Sequence, residues 1–119
     1  MKVILDSNCL MMLTEFKINI YDEIKKLIPD AEFITSAEVV AELEKINNLH
    51  AKVALSSISS EEVRIEKMGR PVDDALIKYA KENNAVLCSN DKELRRKALK
   101  RGVPVIFMRA KKKLDIIRP

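Results

Sequence analysis

The chain has 119 residues, 47% of them hydrophobic and 34% charged, enough to build a real core in one domain spanning residues 1–119. No apolar run approaches the ~18 residues of a membrane span. Asp6 interrupts the N-terminus too early for a signal peptide, so a cytoplasmic protein is expected. Two cysteines, Cys9 and Cys88, both in apolar segments, fit buried thiols in a reducing compartment. A lone His50 and no CxxC pair exclude a zinc site of ordinary spacing.

The formal net charge of +4 hides an asymmetry. Residues 1–91 hold 11 Lys and Arg against 16 Asp and Glu, a net −5. Residues 92–119 hold 11 against 2, a net +9. An acidic body with a basic last quarter implies an anionic partner or a solvated basic surface. Trp is absent and aromatics are few, so stacking on bases is not the expected grip. Only two glycines and no Gln lean towards a heat-adapted source.

In chain order, Lys2-Val3-Ile4-Leu5 predicts a buried first strand that stops at Asp6. Ser7 and Asn8 are natural N-caps for a helix over Cys9 to Phe16. Asp6 is then either a simple cap or turn residue or an acid held at a strand end. Asp22 to Ile28 fits a second helix, with Ile24, Leu27 and Ile28 inward and Pro29 as its stop. Glu32-Phe33-Ile34 is a short strand. Thr35-Ser36-Ala37-Glu38 has the form of a capping box and opens a helix to about Asn47, with Val39, Leu43 and Ile46 inward. Glu42 borders that stripe, so it either pairs with Lys45 or serves a partner or metal.

His50 to about Ile58 predicts another helix, ended by a serine-rich polar turn, and Val63-Arg64-Ile65 a short strand. Past Pro71, the segment from Val72 places Leu76, Ile77 and Ala80 on one helical face, with Asp73 heading that stripe. Val86-Leu87-Cys88 fits an interior parallel strand, and Asp91 emerges at its C-terminal edge, where open α/β sheets place their ligands. Lys92 to Arg101 is a helix closed by Gly102. Val103 to Met108 is a last buried strand, Lys111-Lys112-Lys113 a basic turn, and Leu114 to Ile117 an added edge strand. Strands alternating with helices predict a three-layer α/β/α fold around a mainly parallel sheet.

Four acids therefore stand at equivalent places: Asp6 and Asp91 after strands, Glu42 in a helix and Asp73 at a helix start, with Asp74 adjacent. Clustered carboxylates repel unless cations neutralise them, and one or two Mg²⁺ or Mn²⁺ ions held through carboxylates and waters would do so. Such ions can activate water and stabilise the leaving oxygen of a phosphodiester. No Ser/His/Asp or Cys/His set competes.

The runs Ile4-Leu5-Asp6-Ser7-Asn8, Val39-Val40-Ala41-Glu42-Leu43, Val72-Asp73-Asp74-Ala75-Leu76-Ile77 and Ser89-Asn90-Asp91 resemble, in order, the four motifs of the PIN-domain ribonucleases. The resemblance implies an α/β/α fold, Mg²⁺- or Mn²⁺-dependent endoribonuclease activity, and Asp6, Glu42, Asp73 and Asp91 as the acidic site. Ser7, Asn8, Ser89 and Asn90 would support it; Ser89 stands where Thr is usual. The doublet leaves the third ligand open between Asp73 and Asp74, with the helical stripe favouring Asp73. Asp73-Asp74-Ala75, Asn90 to Leu94 and Val105 to Lys112 are similar to an archaeal branch related to the eukaryotic nuclease that processes small-subunit ribosomal RNA. The toxin branch, paired with antitoxins, is the other close group. RNA is the expected partner, gripped through Arg95, Arg96, Lys100, Arg101, Arg109, Lys111, Lys112 and Lys113. A second copy of the chain as a homodimer, and an antitoxin or ribosome-assembly partner, are expected besides.

Overall fold

The computed structural model describes residues 1–119. Its elements are β1 (Lys2–Leu5), α1 (Ser7–Glu15), α2 (Ile20–Leu27), β2 (Glu32–Ser36), α3 (Ala37–Ile46) and α4 (Leu49–Ser60). There follow β3 (Arg64–Glu66), α5 (Val72–Glu82), β4 (Val86–Cys88), α6 (Lys92–Lys100), β5 (Val105–Ala110) and β6 (Lys113–Ile117). The sheet runs β3-β2-β1-β4-β5-β6, parallel throughout except for antiparallel β6. Right-handed crossovers leave β1 and β2 in one direction and β3 and β4 in the other. Helices α1 to α4 thus cover one face, and α5 and α6 the other. This is the three-layer α/β arrangement that the alternation predicts.

Strand composition follows from burial. Ile34, Ile4, Leu87 and Val105 lie side by side across β2, β1, β4 and β5, each at most 1% exposed. Strands covered on both faces must be apolar without alternation, hence the uninterrupted Val3-Ile4-Leu5 and Val86-Leu87-Cys88 runs. No helix is long and apolar enough to cross a membrane.

Several local expectations are corrected. Ser7 and Asn8 do not cap α1. Asp6 does, its Oδ1 accepting from the Cys9 amide at 2.7 Å. The Thr35-to-Glu38 capping box does not form. Thr35 is still in β2, and its hydroxyl donates to the Leu5 carbonyl at 2.6 Å. Ser36 caps α3 instead, while Glu38 accepts from the Met68 amide. Ile46, expected inward, is 44% exposed, because the chain turns back at left-handed Asn47 (φ 48°) before another element covers it. Helix α2 begins at Ile20, capped by Asn19, and buries Tyr21 edge-on against Phe33 at 5.0 Å. The serines at 56–60 continue α4 rather than ending it. Ser57 donates to the Ala54 carbonyl, a hydrogen bond made within the helix.

Gly102 closes α6 as expected. Its φ is +81°, the Val103 amide donates to the Ala98 carbonyl, and the Gly102 amide donates to that of Leu99. A Cβ here would also approach Lys81 Nζ at 2.8 Å, a flexible end that can move away. Gly102→Ala should therefore cost roughly 1–2 kcal/mol from the left-handed backbone alone. Urea unfolding midpoints check this; an unchanged midpoint would mean that the cap contributes nothing.

Candidate active site

Strands β1 and β4 are neighbours whose onward connections leave in opposite directions, so a crevice opens beyond their C-terminal ends. Asp6 follows β1 directly, and Asp91 stands three residues beyond β4. The N-termini of α1, α5 and α6 converge on the same edge. Each aspartate also works locally. Asp6 caps α1, and Asp91 Oδ1 caps α6 by accepting from the Glu93 and Leu94 amides at 2.9 and 3.2 Å. In both residues the backbone bonds fall on Oδ1 alone. A capping role and a role in the crevice are therefore compatible in one side chain, although the sequence presents them as alternatives.

The loop from Ser89 to Asp91 is tied on three sides. Buried Ser89 Oγ accepts from the Asp91 amide at 3.0 Å. Asn8 Oδ1 accepts from the Asn90 amide at 3.1 Å, joining α1 to the loop. Asn90 Oδ1 accepts from the Met108 amide at 3.2 Å, joining the loop to β5. Three of the four expected supporting residues thus hold the crevice together. Ser7, the first residue of α1, makes no side-chain hydrogen bond within the chain.

Electrostatics shows which acids face one another. Asp6 is 5% exposed, and its carboxyl is raised from 3.8 to about 7. Burial is the main cause; the charges of Asp73 and Asp91 add to it, while the Ser89 hydroxyl and the Cys9 amide act against it. Asp73 is raised by burial first and then by Asp91, with the Lys97 charge lowering it. Asp6, Asp73 and Asp91 therefore form one interacting group, and Asp74 acts on Asp73 from beside it. Glu42 makes no ion pair with Lys45 or any other residue. With Pro71, Val72, Asp73, Asp74 and Lys97 it lines a cleft of about 330 Å³. A larger cleft of about 400 Å³, between Lys25, Phe33, Glu61 and Arg64, lies towards the opposite, N-terminal ends of β2 and β3, away from the acids.

This donor set is wholly hard oxygen, which suits Mg²⁺ or Mn²⁺ rather than a soft metal. No group of three or more His, Cys, Asp or Glu side chains stands close enough together to hold a metal ion. His50 is bonded to the Thr14 hydroxyl, and the two cysteines are buried free thiols.

The expected RNA-gripping cations divide into two sets. Arg96 is paired with Glu93 at 2.7 Å and Arg109 with Asp115 at 2.9 Å, while Arg95 lies over the Phe107 ring at 4.7 Å. Lys111, Lys112 and Lys113 are exposed around the β5–β6 turn. Lys100 and Arg101 line a second cleft of about 180 Å³ with Asp74, Ile77 and Lys97. Lys97, in both clefts, is the residue that the sequence reading misses. Its signal was present: it lies three residues after Leu94, which points into the core, and four before Arg101.

The fold and the acidic crevice together define a PIN-domain protein: the chain belongs to this family, matching the PIN like domain over residues 3–111. Among curated relatives, it is 31% identical to Ribonuclease VapC9 of Archaeoglobus fulgidus, across 95% of this chain and 87% of that one. It is 29% identical to Ribonuclease VapC4 of Methanocaldococcus jannaschii, across 97% and 95%. In shape it is similar to the PIN domain endonuclease Utp24, with a TM-score of 0.86 over 99% of this chain and 92% of that one. At 23% identity, that likeness speaks for the fold.

Proposed function

We propose that this protein is a metal-dependent endoribonuclease that hydrolyses RNA phosphodiester bonds at the crevice beyond β1 and β4. The observation that carries the reading is buried Asp6, whose carboxyl is pushed to about 7 in the company of Asp73 and Asp91. A carboxyl buried at such cost beside two further acids answers to a bound cation. Two curated relatives bearing the name ribonuclease, matched over nearly the full chain, support RNA as substrate. Asp6, Asp73 and Asp91, with Glu42 at the cleft wall, would hold one or two Mg²⁺ or Mn²⁺ ions through direct and water-mediated contacts. A bound ion supplies an activated water and neutralises charge on the leaving oxygen. The chain's own groups fix the frame. The Cys9 amide orients Asp6, the Glu93 and Leu94 amides orient Asp91, and Ser89 holds the loop between them.

The purified protein should cut single-stranded RNA in Mn²⁺ or Mg²⁺ and stop in EDTA. Asp73 belongs to the interacting group around Asp6, whereas Asp74 reaches that group only through Asp73. Asp73→Asn should thus lower cleavage by roughly 10²-fold and Asp74→Asn by less than about tenfold. Equal losses would mean that both ligate; the reverse order would assign the third ligand to Asp74.

The resemblance of the Asn90–Leu94 and Val105–Lys112 segments favours ribosomal RNA maturation in a ribosome-assembly setting. The names of the two relatives favour the toxin branch, with an antitoxin partner. Mapping new RNA 5′ ends in cells separates the two roles. Ends that vanish from a ribosomal RNA precursor on depletion support maturation, and ends that spread over other RNAs on overproduction support the toxin.

A further inference from the structure

Two clefts open beside the acids, and they share residues. The first runs from Glu42 past Asp73 and Asp74 to Lys97. The second runs from Asp74 and Lys97 over Ile77 to Lys100 and Arg101. Asp74 and Lys97 belong to both, so the two form one groove between α5 and α6. These helices are parallel in direction and both start at the acidic edge. Lys97, Lys100 and Arg101 are spaced i, i+3 and i+4, which puts them on one face of α6. They span about 6 Å of helix rise, on the scale of a single nucleotide step.

None of the three is in an ion pair, unlike Arg96 and Arg109 on the same basic segment. Pro71, Val72 and Ile77 are the groove's apolar residues and no aromatic lines it, so it offers phosphate contacts and no base-stacking platform. Salt screens charges beyond about 8–10 Å, so cations that offset the repulsion of RNA by the acids must stand close to them. Lys97 does so, since it lines the first cleft together with Asp73.

We infer that the RNA strand runs from the acidic crevice along the α5–α6 groove, with Lys97 as a positioning residue for the phosphate beside the cut and Lys100 and Arg101 holding the next one. This deepens the ribonuclease reading and rests on it for the polarity of the strand towards the acids. In the second cleft Asp74 is the one acid, outweighed by Lys97, Lys100 and Arg101. Lys111, Lys112 and Lys113 line neither cleft.

The test uses the full chain and a short fluorescent oligouridylate, with Ca²⁺ in place of Mg²⁺ and the RNA confirmed intact on a denaturing gel. Lys97→Ala should weaken binding about three- to tenfold at low salt and lower the salt slope of log K by roughly 0.7. The Lys100→Ala/Arg101→Ala pair should lower that slope by roughly 1.4. Lys97→Arg should restore binding. A methylphosphonate placed at one phosphate at a time should weaken binding to the unaltered protein at two neighbouring positions, and leave Lys97→Ala indifferent at one of them. A merely structural role for Lys97 would not produce that pairing. All of these residues are exposed, and melting temperature checks that the variants stay folded. Unchanged affinity and slope in both groove variants would overturn the inference, as would a loss confined to the triple Lys111, Lys112 and Lys113 to Ala variant. Cleavage in Mn²⁺ is scored separately. Binding that follows the groove without cleavage overturns the nuclease reading and keeps the groove, whereas no RNA binding at all overturns both.

Discussion

Asp6→Asn should abolish RNA cleavage and at the same time make the metal-free protein more stable at neutral pH. The amide still caps α1, since Asn is as good an N-cap as Asp, so the Cys9 amide keeps its acceptor. What is removed is a negative charge 5% exposed to solvent and facing two others. The native carboxyl stands at about 7 against an ordinary 3.8, so the folded state binds the proton more tightly than the unfolded chain does. Below about pH 4 both states are protonated and the group carries no penalty. Between about pH 4 and 7 the unfolded chain has lost a proton that the native state keeps, so stability falls with rising pH, by up to roughly 4 kcal/mol, and levels off above 7. In EDTA, the native melting temperature should thus decline from pH 4 to 7, and that of Asp6→Asn should decline much less. A smaller slope of the same sign remains from Asp73, whose carboxyl is also raised. Cleavage in Mn²⁺ should drop by at least about a hundredfold, the scale of losing one preorganised electrostatic group. Full activity of the variant would sink the metal-site reading. A flat native stability profile in EDTA would show that Asp6 is solvated.

Ile4→Ala should have the opposite signature, losing stability and keeping the chemistry. Ile4 is fully buried between Ile34 on β2 and Leu87 on β4, at the centre of the parallel sheet. Truncation there leaves a cavity walled by strands and by helices on both faces, which cannot collapse easily. The expected cost is about 2–5 kcal/mol. In a domain of this size, that lowers the melting temperature by roughly 10–20 °C. Well below that temperature, cleavage per folded molecule should stay near normal, because Ile4 reaches none of the acids. A melting shift of only a few degrees would mean that the core repacks around the gap.

Core positions were legible in the sequence wherever one element dictates them. Val3-Ile4-Leu5, Val86-Leu87-Cys88 and the Leu76, Ile77, Ala80 stripe are buried as their patterns predict. A strand covered on both faces needs a continuous apolar run and a covered helix needs period 3.6, and both needs are written locally. Element ends were less legible, because a hydroxyl or carboxylate near a helix start has several backbone donors and acceptors within reach. Thr35 bonds the carbonyl of a residue thirty positions earlier and so cannot cap. Glu38 is drawn off by the Met68 amide in the same way.

The sequence by itself determined the layered α/β fold, the order of its elements, and the four acids as the place to look. Each rests on residue type and spacing within a single strand or helix. Only the tertiary structure decided what those acids do to one another. Asp6, Asp73 and Asp91 are 67 and 18 residues apart in turn, and the carboxyl of Asp6 is raised first because packing buries it and then because the fold brings the charges of Asp73 and Asp91 near it. It also decided which cations remain free. Glu93 and Asp115 take Arg96 and Arg109, and Phe107 takes Arg95, leaving Lys97, Lys100 and Arg101 along the groove. Charge can be counted in a sequence, but its pairing depends on distances of a few ångströms between elements that only packing brings together.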